Sequence, residues 1–366
     1  MGTSLHRYLD IKIHQAIRKR PYDKITVVGT YTRASPSEIF QGEKTDKTFN
    51  WQRPTALVVG NELQIQCFPG HDHVEHYAEL IATYLEIQHN NGHEGLTPSS
   101  RVYIIPPSRL DTQQALRDTN LNDLPSDVNT VVLGLVYRLD RLTNGIEWQG
   151  SDGCFGWVVK RFHDRVVAFV GCRVSFWGDI SGEVVHYLAS SRPIREVIYL
   201  GKLGSVKKGI RPNTFLATGG QSHVHGQIVE WDNVLEPSVA LLASDYTIVG
   251  NHVTLGSVMH ETQDWLSALS PEVDFVDPEV GRMAQAAVSC GVGFGYLHIV
   301  SDNVAEKYDE DLSNEREERV LVGRAHLYEV VEDVLFHHLS AGDGTDGLPD
   351  SLRGTLGTVD GQKASE

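Results

Sequence analysis

The chain has 366 residues, of which 40% are hydrophobic and 22% charged, and a formal net charge of −16. Its length exceeds one small domain and its composition is that of a globular enzyme. The negative field repels polyanions, and the basic clusters Arg18, Lys19, Arg20 and Lys207, Lys208 are short, so nucleic acid is not expected as a partner.

In chain order, residues 1–20 read as a helix, with Leu5, Leu9, Ile13 and Ile17 near helical spacing. Residues 25–29 and 56–59 are short β-branched runs that predict strands. Residues 73–88 predict a helix and 102–105 a strand ended by Pro106 and Pro107. Residues 90–100 are a loop by composition, and the polar stretch 118–128 is a plausible boundary. Beyond it the pattern sharpens. Strands are predicted at 131–133, 166–170, 197–200, 214–217 and 293–300, with helices at 180–190, 261–269, 279–289 and 320–338. Continuous apolar strands alternating with helices imply a buried sheet of the α/β class, mixed and mostly parallel, flanked by helices. A smaller α/β region, 1–128, precedes the main domain, 129–340. The tail 341–366 is rich in Gly, Asp, Ser and Thr and is expected to be disordered.

No apolar run reaches the ~18–20 residues of a membrane span, and the first twenty residues lack the apolar stretch of a secretory signal. A cytoplasmic protein with no membrane partner is expected. The cysteines Cys67, Cys154, Cys172 and Cys290 lack C-x-x-C spacing, which predicts reduced thiols and no structural zinc. His71, Asp72, His73, Glu75 and His76 have the composition of a metal cluster. Following Pro69 and Gly70 they read better as a turn and helix start, and no metal or other cofactor is expected.

Functional groups in such sheets gather at the carboxyl ends of strands, where Gly134, Gly201 and Asp302 are expected. Three segments follow one another late in the chain. Val276-Asp277-Pro278-Glu279-Val280-Gly281-Arg282 comes first, Ile299-Val300-Ser301-Asp302-Asn303 second, and Leu312-Ser313-Asn314-Glu315-Arg316 third. With the glycine-bearing stretch 195–219, their order resembles the nucleoside phosphorylase/nucleosidase superfamily over about 210 residues.

The resemblance implies cleavage or transfer at the N-glycosidic bond of a purine-type nucleoside, in an enzyme that is a homo-oligomer. A purine leaves poorly as an anion, and protonation removes that obstacle. Asp302 is the implied general acid, with Arg316 stabilising the carboxylate as the proton departs. The plain alternative is a strand-end Asp capping a turn and a surface Arg. Glu279 is the implied sugar ligand, a carboxylate bonded to the ribose hydroxyls, although a Glu at a helix start is also favourable there. Gly134 and Arg138 match the family's phosphate loop, and Lys202 is a further candidate for an anion site with phosphate as co-substrate.

That phosphate signature departs from the family elsewhere. Tyr199 and Lys202 stand where phosphorylases carry Arg and Ser, and Arg173, Phe176 and Trp177 replace a glycine-rich loop. Lys202 or Arg173 could restore positive charge. Two alternatives follow: hydrolysis by water, or a nucleoside-binding protein that no longer catalyses. His260 and Glu261 could line the base pocket or cap the following helix.

Overall fold

The structure, a computed structural model, describes residues 2–93, 95–309 and 317–341. The expected tail and Arg316 lie outside the described residues. The first part comprises α1 (Gly2–Lys12), α2 (Gln15–Lys19), β1 (Lys24–Val28), β2 (Thr55–Val59), β3 (Glu62–Gln66), α3 (His71–Asn90), β4 (Val102–Ile105) and α4 (Arg109–Arg117). Then come β5 (Thr130–Gly134), α5 (Asp140–Thr143), β6 (Phe155–Phe162), β7 (Arg165–Cys172), α6 (Asp179–Ser191), β8 (Glu196–Ser205), β9 (Leu216–Thr218), β10 (Gln221–Val224), β11 (Gln227–Glu230) and α7 (Glu236–Leu242). The last part is β12 (Thr247–Val249), β13 (Asn251–Thr254), α8 (Gln263–Ala268), β14 (Val273–Asp277), α9 (Val280–Cys290), β15 (Gly293–Asn303) and α10 (Glu318–Ser340).

The strands form two sheets among the described residues. The small one has the order β2-β3-β1-β4, with β1 parallel to both neighbours and β2 antiparallel to β3. The large one has eleven strands and is mixed but mostly parallel. Its centre, β7-β5-β8-β15, is parallel throughout, and antiparallel partners join at β6, β9, β11 and the β8–β14 contact. The central strands are buried on both faces, which is why their sequences are unbroken apolar runs. Val131, Leu133, Val197, Tyr199, Phe294 and Tyr296 face a core shared with α6 and α9. Their alternates Val132, Ile198, Leu200, Leu297 and Ile299 face a core shared with α7 and α10.

Several sequence expectations change. The expected helix over 1–20 breaks at His14, whose ring Nδ1 accepts from Ala16 N and so caps α2. Gly201 lies within β8, not at its end. The stretch 118–128 is packed rather than free. Leu121, Leu124 and Val128 are buried in the core of the large sheet, and the Arg192 guanidinium donates to the carbonyls of Leu121, Asn122 and Leu124.

The small sheet is locked to the large one at two places. At the first, α3 and α6 cap each other. Asp179 accepts from His71 N and Asp72 N, both at 3.0 Å, while Asp72 accepts from Asp179 N at 2.9 Å and from the Arg282 guanidinium at 2.9 Å. Each carboxylate satisfies backbone N–H groups that a helix start leaves unpaired. At the second, the Asn50, Trp51 and Gln52 amides donate to the carbonyls of Cys172 and Arg173. The Phe49 ring, 2% exposed, enters the large core against Tyr137 and Trp148. Gly171 leaves room for it, since a Cβ there would stand 2.2 Å from that ring.

Candidate active site

One cleft opens at the carboxyl ends of β5 and β8, beside the amino ends of α6 and α9, where the expectation for a parallel sheet puts it. Gly134, Lys202, Glu279 and Asp302 all line it, with Gly201, Ser301, Glu261, Asp277, Phe176 and Trp177. Gly134 ends β5 at φ +110°, and a Cβ there would meet the Leu200 carbonyl at 2.1 Å, so only glycine fits this bend. The register of β15 against β8 shifts between Val300 and Asp302, which pair with Leu203 and Gly204. That irregularity lets two adjacent residues, Ser301 and Asp302, share one cleft, which regular alternation forbids. Ser301 Oγ donates to Asp302 Oδ1 at 2.8 Å.

Glu279 precedes α9 and is 6% exposed. Gly178 N donates to its Oε1 at 3.3 Å, and Tyr199 lies against the same carboxyl. Burial, with Asp277 next in importance, pushes the Glu279 carboxyl well above the usual range. Asp277 goes the other way. Burial works against its charge, but His252, His298 and the Val280 amide outweigh it and hold the group ionised. Its Oδ1 accepts from the Glu279 and Val280 amides at 2.9 and 2.8 Å and lies 3.0 Å from His252 Nε2; His298 Nδ1 lies 3.5 Å from its Oδ2. Ser222 Oγ stands 2.9 Å from His252 Nδ1. Burial lowers the His298 pKa to about 4. Burial and neighbouring charge thus favour the ionised form at Asp277 and the protonated form at Glu279.

Glu261 lines the same cleft as Asp302. It follows the short turn Val258–His260, and burial first and the Asp302 charge second push its carboxyl well above the usual range. Like charges do not readily both ionise at low dielectric, so burial and the Asp302 charge act on Glu261 in the same direction.

The structure does not bring Arg138 to the cleft. Its exposed side chain lies over the Tyr137 ring at 5.2 Å, and the cleft wall there is Gly134, Leu135 and Tyr137. Arg173 is also committed elsewhere: it is buried, and its Nη1 donates to the carbonyls of Gly150, Gly153 and Phe155 at 2.6–2.7 Å. Phe49, Asn50 and Arg53 line the cleft, and Arg173 does not. In the histidine-rich segment, His71 begins α3, His76 stacks on Trp177 with ring centroids 4.2 Å apart, and Trp177 Nε1 donates to the Gly256 carbonyl.

Sequence reasoning gave no role to Asp277, His252 or His298, nor to the lysines that residues 1–128 bring to the cleft. Asp277 was visible two residues before Glu279. The histidines carried no signal, because they lie on separate strands that only the sheet brings together.

No family model matches the chain. The protein named oxidoreductase cns1 of Cordyceps militaris is 25% identical over 268 residues, which is 66% of this chain and 32% of that protein. The chain thus spans about a third of the length of that curated relative. Among solved structures, a methylthioadenosine nucleosidase from Weissella paramesenteroides is similar at a TM-score of 0.47 and 16% identity, over 59% of this chain and 98% of that one. The futalosine hydrolase of Helicobacter pylori is similar at 0.46 and 15%, over 57% and 98%. A 5′-methylthioadenosine/S-adenosylhomocysteine nucleosidase from Neisseria meningitidis is similar at 0.45 and 16%, over 57% and 98%.

Proposed function

We propose that this cleft breaks the N-glycosidic bond of a purine-type nucleoside, with water as the acceptor. One observation carries the reading: four carboxyl groups, those of Asp277, Glu279, Glu261 and Asp302, line one cavity at the carboxyl edge of the sheet. They suit the two ends of such a substrate. At the base, Asp302 delivers a proton to the ring nitrogen as the C1′–N bond breaks and its electron pair leaves with the base. At the sugar, Glu279 donates to one ribose hydroxyl and accepts from the other, while ionised Asp277 behind it stabilises the positive charge that develops on the ring. Water then adds to C1′, and the proton it loses restores Asp302. No cofactor takes part.

Water is favoured over phosphate because two expected anion ligands are elsewhere. Arg138 lies outside the cleft lining, and Arg173 is bound to three carbonyls. The test is release of free base from a panel of purine nucleosides, with and without phosphate, in the parent and in Asp302→Asn. Asn keeps the shape but delivers no proton, so turnover should drop ~10²–10⁴-fold with little change in binding. Base release that requires phosphate and yields a sugar phosphate overturns the choice of acceptor. An Asp302→Asn rate equal to the parent's shows that the acid is another group.

A further inference from the structure

Three successive amides at the start of α9 each have an acceptor. Glu279 N and Val280 N donate to Asp277 Oδ1, and Gly281 N donates to Thr254 Oγ1 at 3.0 Å. Thr254 Oγ1 stands 3.2 Å from Ser222 Oγ, and Ser222 Oγ stands 2.9 Å from His252 Nδ1. His252 Nε2 lies 3.0 Å from Asp277 Oδ1, which stands to one side of the ring N–H direction. The contacts form a closed ring that leaves the first turn of α9 at Gly281 and returns to it through Asp277. The side chains come from the adjacent strands β10, β13 and β14, whose register pairs Ser222 with His252 and Thr254 with Asp277. None of the four is more than 6% exposed. The ring needs glycine at 281, since a Cβ there would stand 2.3 Å from Thr254 Oγ1 and 2.5 Å from Ser222 Oγ.

Counting hydrogens gives the ring a direction. A carboxylate oxygen only accepts, so the hydrogen between Asp277 and His252 belongs to Nε2. The Gly281 amide only donates, so Thr254 Oγ1 accepts there and its own hydrogen passes to Ser222. Ser222 then donates to His252 Nδ1, which in this tautomer carries a lone pair, and every hydrogen has an acceptor. A hydrogen on Nδ1 would make Ser222 its acceptor. One of the two hydroxyl hydrogens would then have no acceptor among the described residues, which is costly for a buried group. Resting on the glycosidase reading above, we propose that His252 is a positioning residue for the sugar end of the cleft. Thr254 and Ser222 fix it as the Nε2–H tautomer, and it holds Asp277 and, through Asp277, the start of α9 that carries Glu279. His298 approaches the other oxygen of Asp277, Oδ2, at 3.5 Å, so the nearer histidine contact is that of His252.

The tautomer is read directly. Protein carrying nitrogen-labelled histidine gives long-range proton–nitrogen correlation spectra, and the His252 signals are those lost in His252→Gln. The expected result at neutral pH is a protonated Nε2 and a bare Nδ1, with the Nδ1 signal moved in Ser222→Ala because its donor is gone. A hydrogen on Nδ1, alone or on both nitrogens, overturns the proposal, as do His252 signals unmoved by Ser222→Ala. Rates then separate positioning from packing. Among adenosine, guanosine and inosine, the one that the parent cleaves fastest is the probe. Gln brings an N–H near the place of Nε2, and Leu does not. His252→Gln should keep kcat within about threefold, while His252→Leu should lower it about tenfold or more with KM changed less than about twofold, the size of one charge-assisted contact. Equal rates in the two variants overturn the proposal: if both match the parent, His252 positions nothing, and if both are equally slow, only its volume counts. A parent that releases no base removes the glycosidase reading, while the spectra still support or overturn the tautomer and its hydroxyl chain.

Discussion

At the scale of single residues, the chemistry depends on which carboxyl bears charge. Glu279 is raised by burial and by Asp277, so the fold favours its neutral form. Its stabilising contribution is full below the unfolded carboxyl pKa of about 4.3 and is lost as pH rises through the folded value. Glutamine cannot ionise. Glu279→Gln should therefore gain stability over the parent as pH rises, with the difference vanishing toward pH 4, as read from urea midpoints at pH 4, 7 and 9. In turnover, Gln keeps one donor and one acceptor for the sugar and should remain within about tenfold of the parent, whereas Glu279→Ala loses both bonds and should fall about a hundredfold. If Gln is as poor as Ala, the working form of Glu279 is the carboxylate.

At the scale of elements, the reciprocal caps between α3 and α6 hold the two sheets at the edge of the cleft. Asp179→Ala leaves two amides of α3 without their acceptor and should cost about 1–2 kcal/mol. Asp72→Ala removes the cap of α6 and also the carboxylate that meets the Arg282 guanidinium, so it should cost more. Urea midpoints of the two variants check the order. The same scale explains what could be read in advance. The buried parallel strands were legible because burial on both faces leaves an apolar run, as at 131–133 and 293–300. Strands β10, β11 and β13 are short and polar (Gln221, Ser222 and His223 in β10, for example) and exist through their neighbours in the sheet. Glu279 and Asp302 were legible because each sits in a local motif at an element boundary. Of the lysines lining the cleft, Lys202 was singled out in the sequence, whereas Lys12, Lys44 and Lys47 lie far from it along the chain and join it only in three dimensions.

At the scale of the whole molecule, a net charge of −16 acts against the compact state through self-repulsion. Raising salt from low to physiological strength shortens the screening length from ~30 Å at 0.01 M to ~8 Å at 0.15 M. The melting temperature at pH 7 should therefore rise with salt, and the effect should shrink near the sequence pI of ≈ 5.5. Thermal melts at both pH values decide it; equal salt dependence at the two would mean that self-repulsion is not what salt relieves.

The seating of Phe49 also sets an order in time. Gly171, against which its ring packs, is 171 − 49 = 122 positions further along the chain. At a synthesis rate of ~5–20 residues per second, the ribosome delivers that seat roughly 6–24 s after Phe49 itself. The small sheet thus leaves the ribosome with its apolar anchor in water, and β15, which carries Asp302, comes later still. The cleft is a late product of biosynthesis: Phe49 and Arg53 on its wall are made early and Asp302 among the last, so its lining is complete only when both halves of the chain have met.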